Sequence, residues 1–106
     1  MAYKTMQEKT TKCPVELTLS LIGGKWKGII LYHLMDGKKR FGELKKFMPS
    51  ITQRMLTKQL RELESDGLIR RKVYKVVPPK VEYSLTKQGE SLKKTILSLE
   101  EWGRNY

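Results

Sequence analysis

Apolar positions along this chain recur at two different periods, and the places where the period changes divide it into elements. Val15, Leu19 and Ile22, widened by Leu17 and Leu21, repeat at the spacing of a helix buried along one stripe, with Pro14 at its first position and Gly23-Gly24 at its end. A second helix from Lys25 to Met35 is expected to bury Trp26, Ile29, Ile30 and Leu34 before Asp36-Gly37 stops it. Lys38-Lys39-Arg40 forms a charged turn. A short third helix follows, from about Gly42 to Phe47, anchored by Phe41, Leu44 and Phe47 and closed by Pro49. The clearest stripe is Met55, Leu56, Leu60 and Leu63, in a fourth helix over 52–66. Thr52 suits its N-cap better than Ser50, and Gly67 with Leu68 behind it suits its C-terminus.

The period then falls to two. Residues 69–77 are β-branched and basic, Pro78-Pro79 must turn outside any ladder, and Val81, Tyr83 and Leu85 alternate with Glu82 and Ser84. Two strands around a proline loop make a hairpin. Helical spacing returns after Thr86, which caps a last helix striped with Leu92, Ile96, Leu99 and Trp102, a longer apolar edge than one domain needs. The fold class is mainly α with a small β-hairpin. A short helix, a tight turn and a longer helix with a polar outer face form a helix-turn-helix, and the hairpin directly after it is a wing. The 106 residues make a single domain, with residues 1–12 polar, aperiodic and loose.

Charge changes the picture from fold to partner. Of the net +11, residues 1–36 carry +2, residues 37–80 carry thirteen basic against four acidic side chains for +9, and residues 81–106 are neutral. A basic centre with a neutral tail suits a polyanion at one place and packing or self-association at another. On the fourth helix Gln53, Arg54, Thr57, Lys58 and Arg61 share the arc opposite the apolar stripe, with no acid on that arc until Glu64. A solvated face is the ordinary explanation of such an arc taken alone. The preceding turn, the wing and the localised charge favour double-stranded DNA. Thr52, Gln53, Arg54 and Thr57 lie at the end that enters a major groove first and are candidates for base edges. Lys58, Arg61, the wing-tip Lys75 and Lys80, and Lys25 and Lys27 of the second helix are candidates for phosphate contact. Arg70, Arg71 and Lys72 alternate in direction, so only part of that run can face DNA, and Glu82 opposite is expected to pair with one of them.

Other chemistries find little material. Cys13 and His33 are the only residues of their types, so no nucleophile–base–orienter set, metal cluster or cofactor site can be assembled, and enzyme activity is not expected. The longest apolar run, Gly28 to Tyr32, is too short to span a membrane, and a single cysteine fits a reducing, cytoplasmic setting.

Cys13-Pro14, IGGKWK (Ile22–Lys27), RFGEL (Arg40–Leu44), SITQRMLTKQLRELESDGLI and PPKVEYSLTKQG (Pro78–Gly89) resemble, in this order and over roughly residues 12–102, the HxlR family of winged helix-turn-helix transcription regulators. The resemblance implies helix 52–66 in the major groove, hairpin 70–85 as the wing, and a homodimer formed through residues 14–22 and 87–103, with Leu92, Ile96, Leu99 and Trp102 at the interface. It further implies sequence-specific binding to a pseudo-palindromic operator. Several members sense electrophiles, quinones or disulfide stress through a cysteine at the position of Cys13. Here a thiol stands just before a helix N-terminus with Lys9 and Lys12 nearby, a setting that stabilises a thiolate. No second cysteine is present, so only Cys13 to Cys13 of a partner subunit, or an adduct with a small thiol or electrophile, is open to it. The competing readings are a regulator without a sensor, and a winged-helix module that binds RNA or a protein. Operator, target genes and effector are not written in the sequence, and a chain this small has interior room for an effector only between subunits.

Overall fold

Leu56, Leu60 and Leu63, exposed by no more than 1 %, fix one helix face at the centre of the molecule, and the other elements are arranged around it. The computed structural model describes residues 13–106. In order these form α1 (Pro14–Ile22), α2 (Lys27–Leu34), α3 (Phe41–Phe47), α4 (Gln53–Ser65), β1 (Ile69–Tyr74), β2 (Lys80–Leu85), α5 (Lys87–Glu90) and α6 (Lys93–Asn105). Around the α4 leucines the core gathers Ile30, Leu31 and Leu34 of α2, Leu44 of α3, Met48 and Ile51 of the connecting turn, Ile69, Tyr83 and Ile96.

On α2 the buried stripe is Ile30, Leu31 and Leu34, with Trp26 just before the helix packed against the core as expected, and Leu31 takes the interior place expected of Ile29. Ile29 stands about 100° round from that line and is exposed beside α6. Phe47, expected as an anchor of α3, is also exposed and stacks on His33 with ring centroids 4.3 Å apart, while the next residue, Met48, enters the core. Such exchanges between neighbours are set by the approach of another element, which spacing within one helix does not contain.

Gly67, at φ +76°, turns the chain from α4 into the hairpin, where the Leu68 N–H reaches back to the Leu63 carbonyl. β1 and β2 pair antiparallel from Ile69↔Leu85 to Tyr74↔Lys80. Lys39 adds a one-residue third strand through its N–H to the Tyr83 carbonyl (2.9 Å) and the return bond from the Tyr83 N–H (2.8 Å). The hairpin is thereby fixed to the α2–α3 turn as well as to α4.

The expected single last helix is two. Thr86 caps α5 by accepting from the Gly89 N–H at 3.0 Å, and its hydroxyl donates to the Gly67 carbonyl at 2.6 Å. Gly89 lies against the Leu68 carbonyl so closely that a β-carbon would collide with it. The backbone bends at Ser91-Leu92, and α6 leaves along α2, where the Tyr32 hydroxyl donates to Glu100 at 2.5 Å.

Candidate nucleic-acid interface

The capping chemistry places the start of α4. Thr52 Oγ1 accepts the Met55 N–H at 3.0 Å, so the first turn begins at Gln53 and presents its side chains outward. Gln53, Arg54, Lys58 and Arg61 are exposed on the face opposite the buried leucines. Thr57 is half-buried, and its hydroxyl donates to the Gln53 carbonyl at 2.9 Å. That bond uses its hydrogen and leaves a lone pair and the methyl group for any partner. Thr52 is likewise occupied: its hydroxyl oxygen is the cap. Together these side chains, with Met55 and Glu62, line one continuous groove along the helix.

Ion pairs decide which of the remaining cations are free. Among the described residues they involve neither Arg54, Lys58 and Arg61 nor Arg70, Arg71, Lys72 and Lys75. Lys27, expected on the DNA backbone, is instead turned inward: its ammonium is 2.7 Å from Glu62 and its side chain is 13 % exposed. The same hydrogen bond holds the Glu62 carboxyl below the usual carboxylate range. Lys25 remains exposed, its ammonium 4.7 Å from the centre of the Trp26 ring.

At the wing, Glu82 does not pair with the basic residue opposite it on β1. It accepts from the Tyr74 hydroxyl at 2.8 Å and stands 3.4 Å from the Lys38 ammonium and 3.5 Å from that of Lys80. The Tyr74 bond first, and the two lysines after it, hold its carboxyl low. Lys72 and Lys80 both lie over the Tyr74 ring at 4.8 Å. Lys80 is therefore partly neutralised, and Lys75 is the less encumbered cation of the tip. These contacts also resolve the direction of the basic run. Lys72, Tyr74, Lys80 and Glu82 meet on the outer face, so Arg70 belongs there too, whereas Arg71 shares the inner face with Ile69 and Tyr83 and stands next to α4. Ile69 carried that signal in the sequence: an apolar residue two places before Arg71 fixes which face Arg71 shares.

The apolar edge assigned to the last helix is divided. Ile96 is 4 % exposed and Leu92 packs against the same core, so both serve the chain's own interior. Leu99 and Trp102, farther along α6, are what remains outside. They are 58 % and 68 % exposed, and the α1 residues Val15 and Leu19, near Leu99, are 68 % and 60 % exposed. Pro14, Val15, Leu19, Ile22 and Leu99 line a shallow groove shared by the two helices. Cys13 is the N-cap of α1, with its Sγ accepting from the Glu16 N–H at 3.3 Å and lying 3.9 Å from the Glu16 carboxylate. Lys9 and Lys12, expected near the thiol, and the rest of residues 1–12, expected to be loose, lie outside the described residues. Among those described, no three His, Cys, Asp or Glu side chains could hold a metal ion together, and no helix is long and apolar enough to cross a membrane.

Comparison with known proteins agrees with this geometry. A family model for the HxlR-like helix-turn-helix matches residues 21–106. YdeP of Bacillus subtilis (strain 168), described as an uncharacterized HTH-type transcriptional regulator, is 68 % identical over 94 residues, covering 89 % of this chain and 73 % of that protein. Among solved structures, the redox regulator HypR in its oxidized form has a TM-score of 0.86 at 63 % identity, covering 89 % of this chain and 97 % of that one. The reduced form of the transcriptional regulator YodB from B. subtilis has a TM-score of 0.77 at 38 % identity, over 90 % and 94 % of the two chains.

Proposed function

The chain belongs to the HxlR-like helix-turn-helix family of transcriptional regulators, and from that premise we propose that it binds a pseudo-palindromic DNA operator as a homodimer. The observation that carries this reading is the outer face of α4, where Arg54, Lys58 and Arg61 have no carboxylate partner among the described residues. A helix presenting free guanidinium and ammonium groups beside Gln53 and Thr57 has the donors that a major groove reads and the charge that its phosphates attract. Two such helices in a symmetric dimer would enter grooves roughly 34 Å apart. The exposed apolar surface of α1 and α6 supports the pairing. This role is binding rather than catalysis, and it requires access to the chromosome in the cytoplasm.

The test is a footprint over the intergenic region beside its own gene, with Arg54→Ala alongside. The wild type is expected to protect a site with two-fold symmetry. Arg54→Ala is expected to cost about 1–3 kcal/mol on that site and little on random duplex, as for a side chain reading a guanine. Equal losses on both would reassign Arg54 to the backbone. Weak, sequence-tolerant binding with no footprint would overturn promoter recognition in favour of an RNA- or protein-binding module.

A thiol response belongs to the same proposal, supported by the likeness to HypR, which is described as a redox regulator. Cys13 is half-buried at the start of α1, beside the surface assigned to the dimer, so an adduct or an intersubunit disulfide there would alter the spacing of the two α4 helices. Operator binding should change with diamide or a quinone in the wild type and stay constant in Cys13→Ser. A wild type indifferent to both reagents leaves a regulator without this switch.

A further inference from the structure

Between α4 and the first strand of the wing lies a recess of about 290 Å³ lined by Thr57, Leu60, Arg61, Glu64, Arg71 and Tyr83. Its floor is the core itself, since Leu60 and Tyr83 are buried. Its rim is lined by two arginines from different elements, Arg61 on α4 and Arg71 on β1, and among the described residues neither takes part in an ion pair. With two arginines and one carboxylate, Glu64, around it, the recess carries a net positive charge that attracts an anion. Each guanidinium presents a planar fork that fits two oxygens of a phosphate.

We infer that this recess seats one phosphodiester of the duplex backbone, held from the helix side by Arg61 and from the wing side by Arg71. The inference rests on the proposed binding of duplex DNA and extends it to a defined contact. The seated phosphate lies where a strand passes from the major groove, read by α4, to the minor groove beside the hairpin. A phosphate gripped from both elements fixes their joint orientation on DNA. Glu64, on the same rim, sets a like charge against that phosphate and limits affinity on every sequence alike.

Binding of the footprinted operator and of a random duplex, measured across a salt series, tests the seat. Arg61→Ala and Arg71→Ala each weaken binding by the same factor on both duplexes. The double variant lowers the slope of log K against log salt by about 0.9, the value for one phosphate, and not by about 1.8, the value for two. Glu64→Gln strengthens binding roughly two- to fivefold on both duplexes, a gain that misfolding cannot imitate. A slope loss near 1.8, unchanged affinity in Arg71→Ala, or no gain in Glu64→Gln each overturns the shared seat. A wild type that binds neither duplex overturns the functional reading itself, and the seat with it.

Discussion

Leu56→Ala is expected to remove about 2–5 kcal/mol of folding free energy, the cost of emptying a fully enclosed leucine site that cannot collapse around the void. Leu56 is 0 % exposed on the inner face of α4, one turn after the Thr52 cap. Small domains are stable by only about 5–15 kcal/mol, so the loss takes a large fraction of the total. It also reaches function, because Gln53, Arg54, Lys58 and Arg61 are carried on the opposite side of the same rigid helix. Denaturant unfolding followed by circular dichroism measures the loss, at one fixed protein concentration because the proposed dimer would contribute to apparent stability. Leu56→Met, which nearly conserves volume, should cost less than about 1.5 kcal/mol. A change below about 1 kcal/mol in Leu56→Ala would show that α4 does not pack through this residue.

The second large effect concerns assembly. Trp102 is 68 % exposed in the single chain and stacks on Tyr106 with ring centroids 5.1 Å apart. A large amphipathic ring at a protein interface is commonly an anchor whose truncation costs about 2 kcal/mol or more. In an isologous dimer every residue of the patch occurs twice. Trp102→Ala is therefore expected to weaken the dimer by roughly 4 kcal/mol, about a thousandfold in its dissociation constant. Sedimentation equilibrium reads that shift directly. Operator affinity should fall with it, since two half-site contacts no longer share one body. Ile96→Ala provides the contrast: this side chain is inside the monomer, so its loss appears in unfolding of the single chain. A wild type that stays monomeric, or a dissociation constant unmoved by Trp102→Ala, would remove α6 from the interface.

The surface cations show where sequence information ends. Arg54, Lys58 and Arg61 could be placed on the outside of α4 because a strong apolar stripe leaves only one other face. Lys27 could not be placed, because its partner Glu62 comes from another element and nothing in the local pattern of α2 announces it. Glu82 is similar. Its opposite neighbours on β1 were visible in the strand pattern, but Tyr74 and Lys38 reach it through side-chain directions that spacing does not encode. Arg71 is an intermediate case, since the alternation and the apolar Ile69 mark its inner face, while its place next to α4 comes from the packing of the two elements.

By itself the sequence determined the elements as far as the hairpin, the Thr52 cap, the turn at Gly67, the helix-turn-helix with its wing and the concentration of charge at their centre. Those features depend on backbone preferences and periodicities that act over a few residues, so they are present in the chain before it folds. Tertiary structure decided which apolar residues are interior and which charges are spent. It drew Ile96 and Leu92 into the core and left Leu99 and Trp102 outside, bound Lys27 to Glu62, and set Arg71 and Arg61 around one recess. Burial and ion pairing depend on which distant segment arrives at a given face, and that is fixed only when the packed arrangement as a whole forms.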